Sequence, residues 1–145
     1  MSHICIIVAR FYPEIADELV RGATSALTLA GATYDIVEVP GAFELSATMH
    51  MAIESRKFDG YVALGCVIRG ETSHYDHVCK EMAYGLNQFA SVRLAPLGFG
   101  VLTVENMDQA IVRASTQNGN KGKDAANTCL HMIALKQSML PNEQF

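Results

Sequence analysis

The sequence is poor in the features that mark several functional classes. It has no cluster of basic residues: 11 Lys and Arg against 15 Asp and Glu leave a net charge of −4. Nucleic acid is therefore not an expected partner. No apolar run reaches transmembrane length, and the start, Met1-Ser2-His3-Ile4, carries no charged segment or cleavage pattern. No membrane association is expected, and a cytoplasmic location is. The four cysteines, Cys5, Cys66, Cys79 and Cys129, form no CxxC pair. They lie far apart and mostly in apolar runs, the pattern of buried free thiols in a reducing compartment rather than of disulfides or a metal site. Metal-ligand spacing, a Walker loop and a Ser/His/Asp order are all missing, so no metal is expected. There is no repeat, linker or low-complexity segment, and 145 residues suffice for one core. Residues 1–145 are expected to form one domain.

Half of the residues are apolar and 18% are charged, a globular composition. His3 to Ala9 and Phe58 to Ile68 are apolar runs suited to strands buried on both faces. Thr33 to Val39 carries Asp35 and Glu38, which predicts an edge strand. Gly98 to Val104 is a fourth strand. Between them lie helical faces: Ile15, Leu19, Ala23, Ala26, Leu27 and Ala30 after Pro13 and before Gly31; Leu45, Met49, Ala52 and Ile53; Val78, Met82, Leu86 and Phe89. Asn106 with Gln109 resembles a capping box opening a short helix to about Ala114. Ala125, Cys129, Ile133 and Leu140 mark a last helix that Pro141 stops, and the tail 142–145 is expected to fray.

This β-α-β-α-β-α-β-α order predicts a three-layer α/β/α sandwich, flavodoxin-like, with a four-stranded parallel sheet of order 2-1-3-4. Its ligand crevice would lie beyond the carboxyl ends of strands one and three. Three unusual stretches map to that end: residues 10–12, residues 40–44 and residues 69–74. Phe11 could stack on a planar heterocycle, or cover the first helix. Glu44, after Pro40-Gly41, could accept hydrogen bonds from ring N–H groups, or complement a helix dipole. The glycine turn at Gly70, with Thr72 and Ser73 ahead of a helix, suits an anion, or is an ordinary cap. His74 could move protons near neutral pH, and His77, within one turn of it, is the competing candidate.

At these residues the sequence resembles a known family. Val39-Pro40-Gly41-Ala42-Phe43-Glu44-Leu45, Gly65-Cys66-Val67-Ile68-Arg69-Gly70-Glu71-Thr72-Ser73-His74-Tyr75-Asp76, Gly100-Val101-Leu102-Thr103-Val104-Glu105-Asn106 and Gly119-Asn120-Lys121-Gly122 are similar to the motif blocks of the lumazine synthases, in family order and across nearly the whole chain. The resemblance implies condensation of 5-amino-6-(D-ribitylamino)uracil with 3,4-dihydroxy-2-butanone 4-phosphate to 6,7-dimethyl-8-ribityllumazine, the penultimate step of riboflavin biosynthesis. It implies that Phe11 stacks on the pyrimidine, that Ala42, Phe43 and Glu44 hold the uracil and ribityl groups, and that Cys66, Val67 and Ile68 line the same pocket through their backbone. Glu71 and Thr72 would bind phosphate through main-chain N–H groups, with His74 as the proton-transfer residue. Phe99 would cover the pyrimidine, and Arg113 would clamp the phosphate with Lys121 close by. Such chemistry needs proton shuttling and an anion site but no cofactor.

Phe99 begins the fourth strand and the short fourth helix runs back toward the same pole, so Phe99 and Arg113 are expected far from their own chain's crevice. They would serve a neighbour's site, which predicts an obligate ring. The resemblance implies homo-pentamers, in some members assembled into sixty-subunit shells, with riboflavin synthase as a further partner. Two positions depart from the family pattern: Tyr12 where asparagine is expected, and Ser46 where proline is common. Two rival readings stay open at this level: a non-catalytic flavin- or lumazine-binding module of the same fold, and a packaging cage.

Overall fold

The computed structural model describes residues 1–141, so the tail expected to fray, residues 142–145, lies outside the described residues. The elements run β1 (His3–Ala9), α1 (Pro13–Leu29), β2 (Thr33–Val39), a single 3-10 turn (Ala42–Glu44), α2 (Leu45–Ser55), β3 (Gly60–Ile68), α3 (His74–Val92), β4 (Leu97–Val104), α4 (Met107–Ala114) and α5 (Lys121–Met139). All strands are parallel, in the order β2-β1-β3-β4. The sheet order and the edge position of β2 match the expectation from polarity: β1 and β3 are buried almost throughout, whereas β2 exposes most of its residues.

Strand alternation divides the core in two. On β1, Ile4, Ile6 and Val8 face α1, α4 and α5, where Leu19, Leu27, Ala114, Ala126 and Ile133 close the layer. Cys5, Ile7 and Ala9 face α2 and α3, against Leu45, Met49, Met82 and Leu86. A sheet apolar on both faces can be shielded from water only by helices on both sides, which is why the chain folds as three layers.

The layer that holds α5 is unusually thin. A Cβ on Gly98 or Gly122 would collide with the backbone carbonyl of Ala125 or Leu19, respectively. A Cβ on Gly60 would stand 2.6 Å from Cys129 Sγ. Helix α5 therefore rests on β3, β4 and α1 by close backbone approach, filled by Ala125, Ala126, Cys129 and Ile133.

Boundaries differ from expectation in small ways with local causes. Ala30 and Leu140, expected on helical faces, lie just past the ends of α1 and α5 and are exposed. Gly31, at φ +78°, makes the turn that ends α1. Asn106 Oδ1 accepts from Gln109 N–H at 2.9 Å, but Gln109 Oε1 accepts from Glu105 N–H at 2.8 Å, one residue before the reciprocal partner of a regular capping box. Ser46, the departure at the start of α2, packs where a side chain on Gly85 of α3 would otherwise stand. Cys5, Cys66 and Cys129 are buried free thiols, while Cys79 is half-buried. Among the described residues no helix is long and apolar enough to cross a membrane.

Candidate active site

Three connections converge at the carboxyl ends of β1, β2 and β3. The loop after β1 presents Phe11 and Tyr12, the 3-10 turn after β2 presents Ala42, Phe43 and Glu44, and the end of β3 with the first two turns of α3 completes a cleft of about 670 Å³. A cleft of that size can take a heterocycle carrying a polyol arm.

Phe11 is 69% exposed and edge-on to Tyr12, with ring centroids 4.9 Å apart. Its ring is largely open to solvent within the cleft, where a ligand can reach it. Tyr12 is half-buried, so it braces Phe11 from the core side. Glu44 Oε1 accepts from Gly41 N–H at 3.1 Å. The carboxylate thus closes its own turn with one oxygen, a capping hydrogen bond rather than the helix-dipole role weighed from the sequence. Ala42 is buried beneath it. Cys66, Val67 and Ile68 end β3 in the cleft wall. Burial pushes the Cys66 thiol up to about 11, so near neutral pH it is a protonated wall group and not a nucleophile.

The turn at residues 70–73 leads into α3. Ser73 stands at the cap position without a side-chain bond, and Thr72 Oγ1 instead accepts from His74 N–H at 3.3 Å. The start of a nineteen-residue helix is thus lightly capped and open to the cleft, the setting in which backbone N–H groups and the helix dipole favour an anion. His74 and His77 are both exposed on the cleft. Glu81 and Val78 join them, at the i, i+3, i+4 and i+7 positions of one helical face. That period, readable in the sequence, is the signal that places Glu81 and Val78 at the site. Tyr75 is a further lining residue that the motif reading left without a role.

Glu71, Phe99, Arg113 and Lys121 do not line this cleft. Glu71 is exposed on the outer side of the turn. Phe99 pairs in register with Ala63, five residues before Ile68 on β3, about 16 Å from the strand's carboxyl end. Arg113 lies at the far end of α4, its Nη1 donating to the Gln109 carbonyl at 3.2 Å, and is exposed. The loop beyond it is pinned to α1, because Thr116 N–H and Oγ1 both donate to Glu18 Oε1 at 2.9 Å and hold that carboxyl below its usual range. Lys121 Nζ is 3.5 Å from Asp124 Oδ2 at the start of α5.

The electrostatics of the cleft are one-sided. Its lining includes the carboxylates Glu44 and Glu81 and no Lys or Arg. The two arginines at this pole are already paired, Arg10 with Asp17 at 2.8 Å and Arg69 with Glu105 at 2.8 Å and Asp76 at 3.2 Å. A heterocycle can enter, but a phosphate would meet helix N–H groups without a cation to neutralise it.

Comparison with known proteins fits this geometry. The family model described as 6,7-dimethyl-8-ribityllumazine synthase matches residues 1–137. The chain is 50% identical over 142 residues to 6,7-dimethyl-8-ribityllumazine synthase 1 of Rhizobium meliloti (strain 1021), covering 94% of this chain and 93% of the relative. It is 46% identical over 142 residues to the 6,7-dimethyl-8-ribityllumazine synthase of Agrobacterium fabrum (94% and 96% covered). The like-named enzyme of Sphingopyxis alaskensis is 46% identical over 137 residues (94% and 96% covered). With a parallel 2-1-3-4 sheet, a cleft at its carboxyl pole and full-length similarity to these enzymes, the chain belongs to the 6,7-dimethyl-8-ribityllumazine synthase family.

Proposed function

We propose that the cleft at the carboxyl ends of β1 and β3 is where this chain condenses 5-amino-6-(D-ribitylamino)uracil with 3,4-dihydroxy-2-butanone 4-phosphate, and that a second copy of the chain completes the site. The aromatic amine attacks the ketone carbonyl, water leaves to give an imine, phosphate is eliminated, and ring closure with loss of a second water yields the lumazine. Each step moves protons, and none transfers electrons to a partner. His74, exposed on the cleft, gives and takes those protons. Phe11 stacks on the pyrimidine, the 3-10 turn with Phe43 and Glu44 meets its polar edge and polyol arm, and the ends of Cys66, Val67 and Ile68 supply backbone groups. The turn with Glu71 and Thr72, at the start of α3, takes the phosphate through main-chain N–H donors.

The observation that carries the shared site is the missing cation. A dianionic substrate in a cleft holding two carboxylates and no free guanidinium or ammonium needs positive charge from elsewhere. Arg113 has no carboxylate partner among the described residues and does not line its own cleft. Phe99 is 47% exposed, and Ile111 and Val112 beside Arg113 are also exposed, an apolar surround suited to a neighbour. A ring of identical subunits, each giving Phe99, Arg113 and Lys121 to the next, satisfies both facts, and the pentamer of the family is the closed form we assign. Higher shells and a riboflavin synthase partner would build on that ring.

The test is to mix the purified protein with the two substrates and follow lumazine absorbance above the uncatalysed background. The reading predicts protein-dependent turnover that falls about 100-fold or more in Arg113→Ala, mainly through the KM of the butanone phosphate. A folded, oligomeric protein that gives no acceleration would mean that the cleft binds without converting.

A further inference from the structure

The turn that presents Thr72 and His74 has little of its own to hold it. Gly70 has no neighbouring atom within 4 Å of where a side chain would begin. Residues 71–74 are all exposed, and the hydrogen bond from His74 N–H to Thr72 Oγ1 stays within the segment. Its two ends are tied together instead by side chains: Tyr75 in the first turn of α3 shares a hydrogen bond with Thr103 of β4, and Arg69 makes the wider set of contacts. Arg69 follows β3, its backbone N–H donating to the Val104 carbonyl at 2.9 Å, which extends the sheet by one residue. From that fixed point its guanidinium spreads in three directions. Nε donates to Glu105 Oε2 at 2.8 Å, Nη1 donates to Asp76 Oδ1 at 3.2 Å, and the group lies 4.3 Å from the centroid of the Tyr75 ring. Glu105 is the residue after β4, while Tyr75 and Asp76 lie in the first turn of α3.

We propose that Arg69 is a positioning residue: it clamps the start of α3 to the ends of β3 and β4, and so fixes the turn that holds the phosphate and the proton-transfer histidine. Only a planar fork can do this. A guanidinium reaches two carboxylates along different N–H directions and stacks on a ring at once, whereas an ammonium is a point donor. The pairs are solvent-exposed, with Arg69 at 41% and its acidic partners near 60%, so their effect on global stability is small. Their effect on geometry is not, because a shift of the turn displaces Thr72 and His74 together. Full commitment of the guanidinium to protein carboxylates also separates Arg69 from the phosphate-neutralising role given to Arg113.

This inference rests on the proposed use of the turn, and two readouts keep the two apart. Native-state hydrogen exchange of the His77 amide, which donates to the Ser73 carbonyl at 3.3 Å, and of the helical amides that follow it in α3 reports the clamp with no substrate present. In Arg69→Gln it should quicken at least about tenfold relative to the rest of the chain. In the condensation assay the same variant should lose roughly 10–100-fold in kcat/KM for the butanone phosphate, with the KM of the ribitylaminouracil moved less than about twofold. Arg69→Lys should recover only part of that loss, and Glu105→Gln should reproduce it in weaker form. Unchanged exchange in Arg69→Gln, full rescue by lysine, or equal changes in the KM of both substrates would overturn the proposal. Faster exchange in a protein whose wild type does not condense the substrates would instead remove the assigned function and leave the clamp standing.

Discussion

Replacing His74 by alanine is expected to slow lumazine formation by about 10²–10⁴-fold, the range lost when a general acid–base is removed. The loss should fall on kcat, because imine formation, phosphate elimination and ring closure each need a proton moved at a defined atom. Binding of the ribitylaminouracil should change little, since Phe11, the 3-10 turn and the end of β3 remain. The fold should not suffer either. The imidazole is exposed, and the hydrogen bond between His74 and Thr72 uses the backbone N–H, which alanine keeps. His77 is the internal control. It lies on the same face of α3 and lines the same cleft, so it tests whether any histidine there will serve. A loss confined to His77→Ala would transfer the role to that residue.

The largest structural effect is expected at a residue far from the chemistry. A methyl on Gly98 would run into the Ala125 carbonyl, with no flexible side chain between them. Gly98→Val would force α5 off β4 and open the layer filled by Ala125, Ala126, Cys129 and Ile133. Overpacking of a dense core costs about 1–3 kcal/mol when side chains can shift, and more when the obstacle is backbone. We expect a loss of about 3 kcal/mol or more, a fall of roughly 10 °C in Tm by calorimetry. Gly70→Ala is the contrast, with open space around it and an expected change within about 0.5 kcal/mol. Equal melting temperatures for the two variants would show that α5 can slide on the sheet.

The sheet was legible in the sequence because burial writes itself into composition. β1 and β3 read as continuous apolar runs since both of their faces are covered, and Asp35 and Glu38 marked β2 as the edge. The convergence of residues 10–12, 40–44 and 69–74 followed from strand direction alone, as did the absence of Phe99 and Arg113 from the cleft lining. What stayed hidden depends on pairs that only folding brings together. Ser46 meets Gly85, and Gly98 meets Ala125, across packed elements. Nothing at either position alone announces such a contact. Tyr12 was visible as a departure from the family pattern, but its bracing of Phe11 arises only in the folded loop after β1. Arg69 stood inside a motif without a role until Asp76 and Glu105 were seen on either side of it.

The shared site is tested most directly by mixing two variants that are each impaired, His74→Ala and Arg113→Ala, after reversible dissociation and reassembly of the subunits. If each site takes its proton-transfer histidine from one chain and its phosphate clamp from the next, random mixing makes some sites with both groups intact. Activity should then return to about a quarter of wild type, the probability that both contributors are unmutated at that place in an equal mixture. If His74 and Arg113 served the same chain's cleft, every site would carry one lesion, and the mixture would be no more active than the average of the two variants alone.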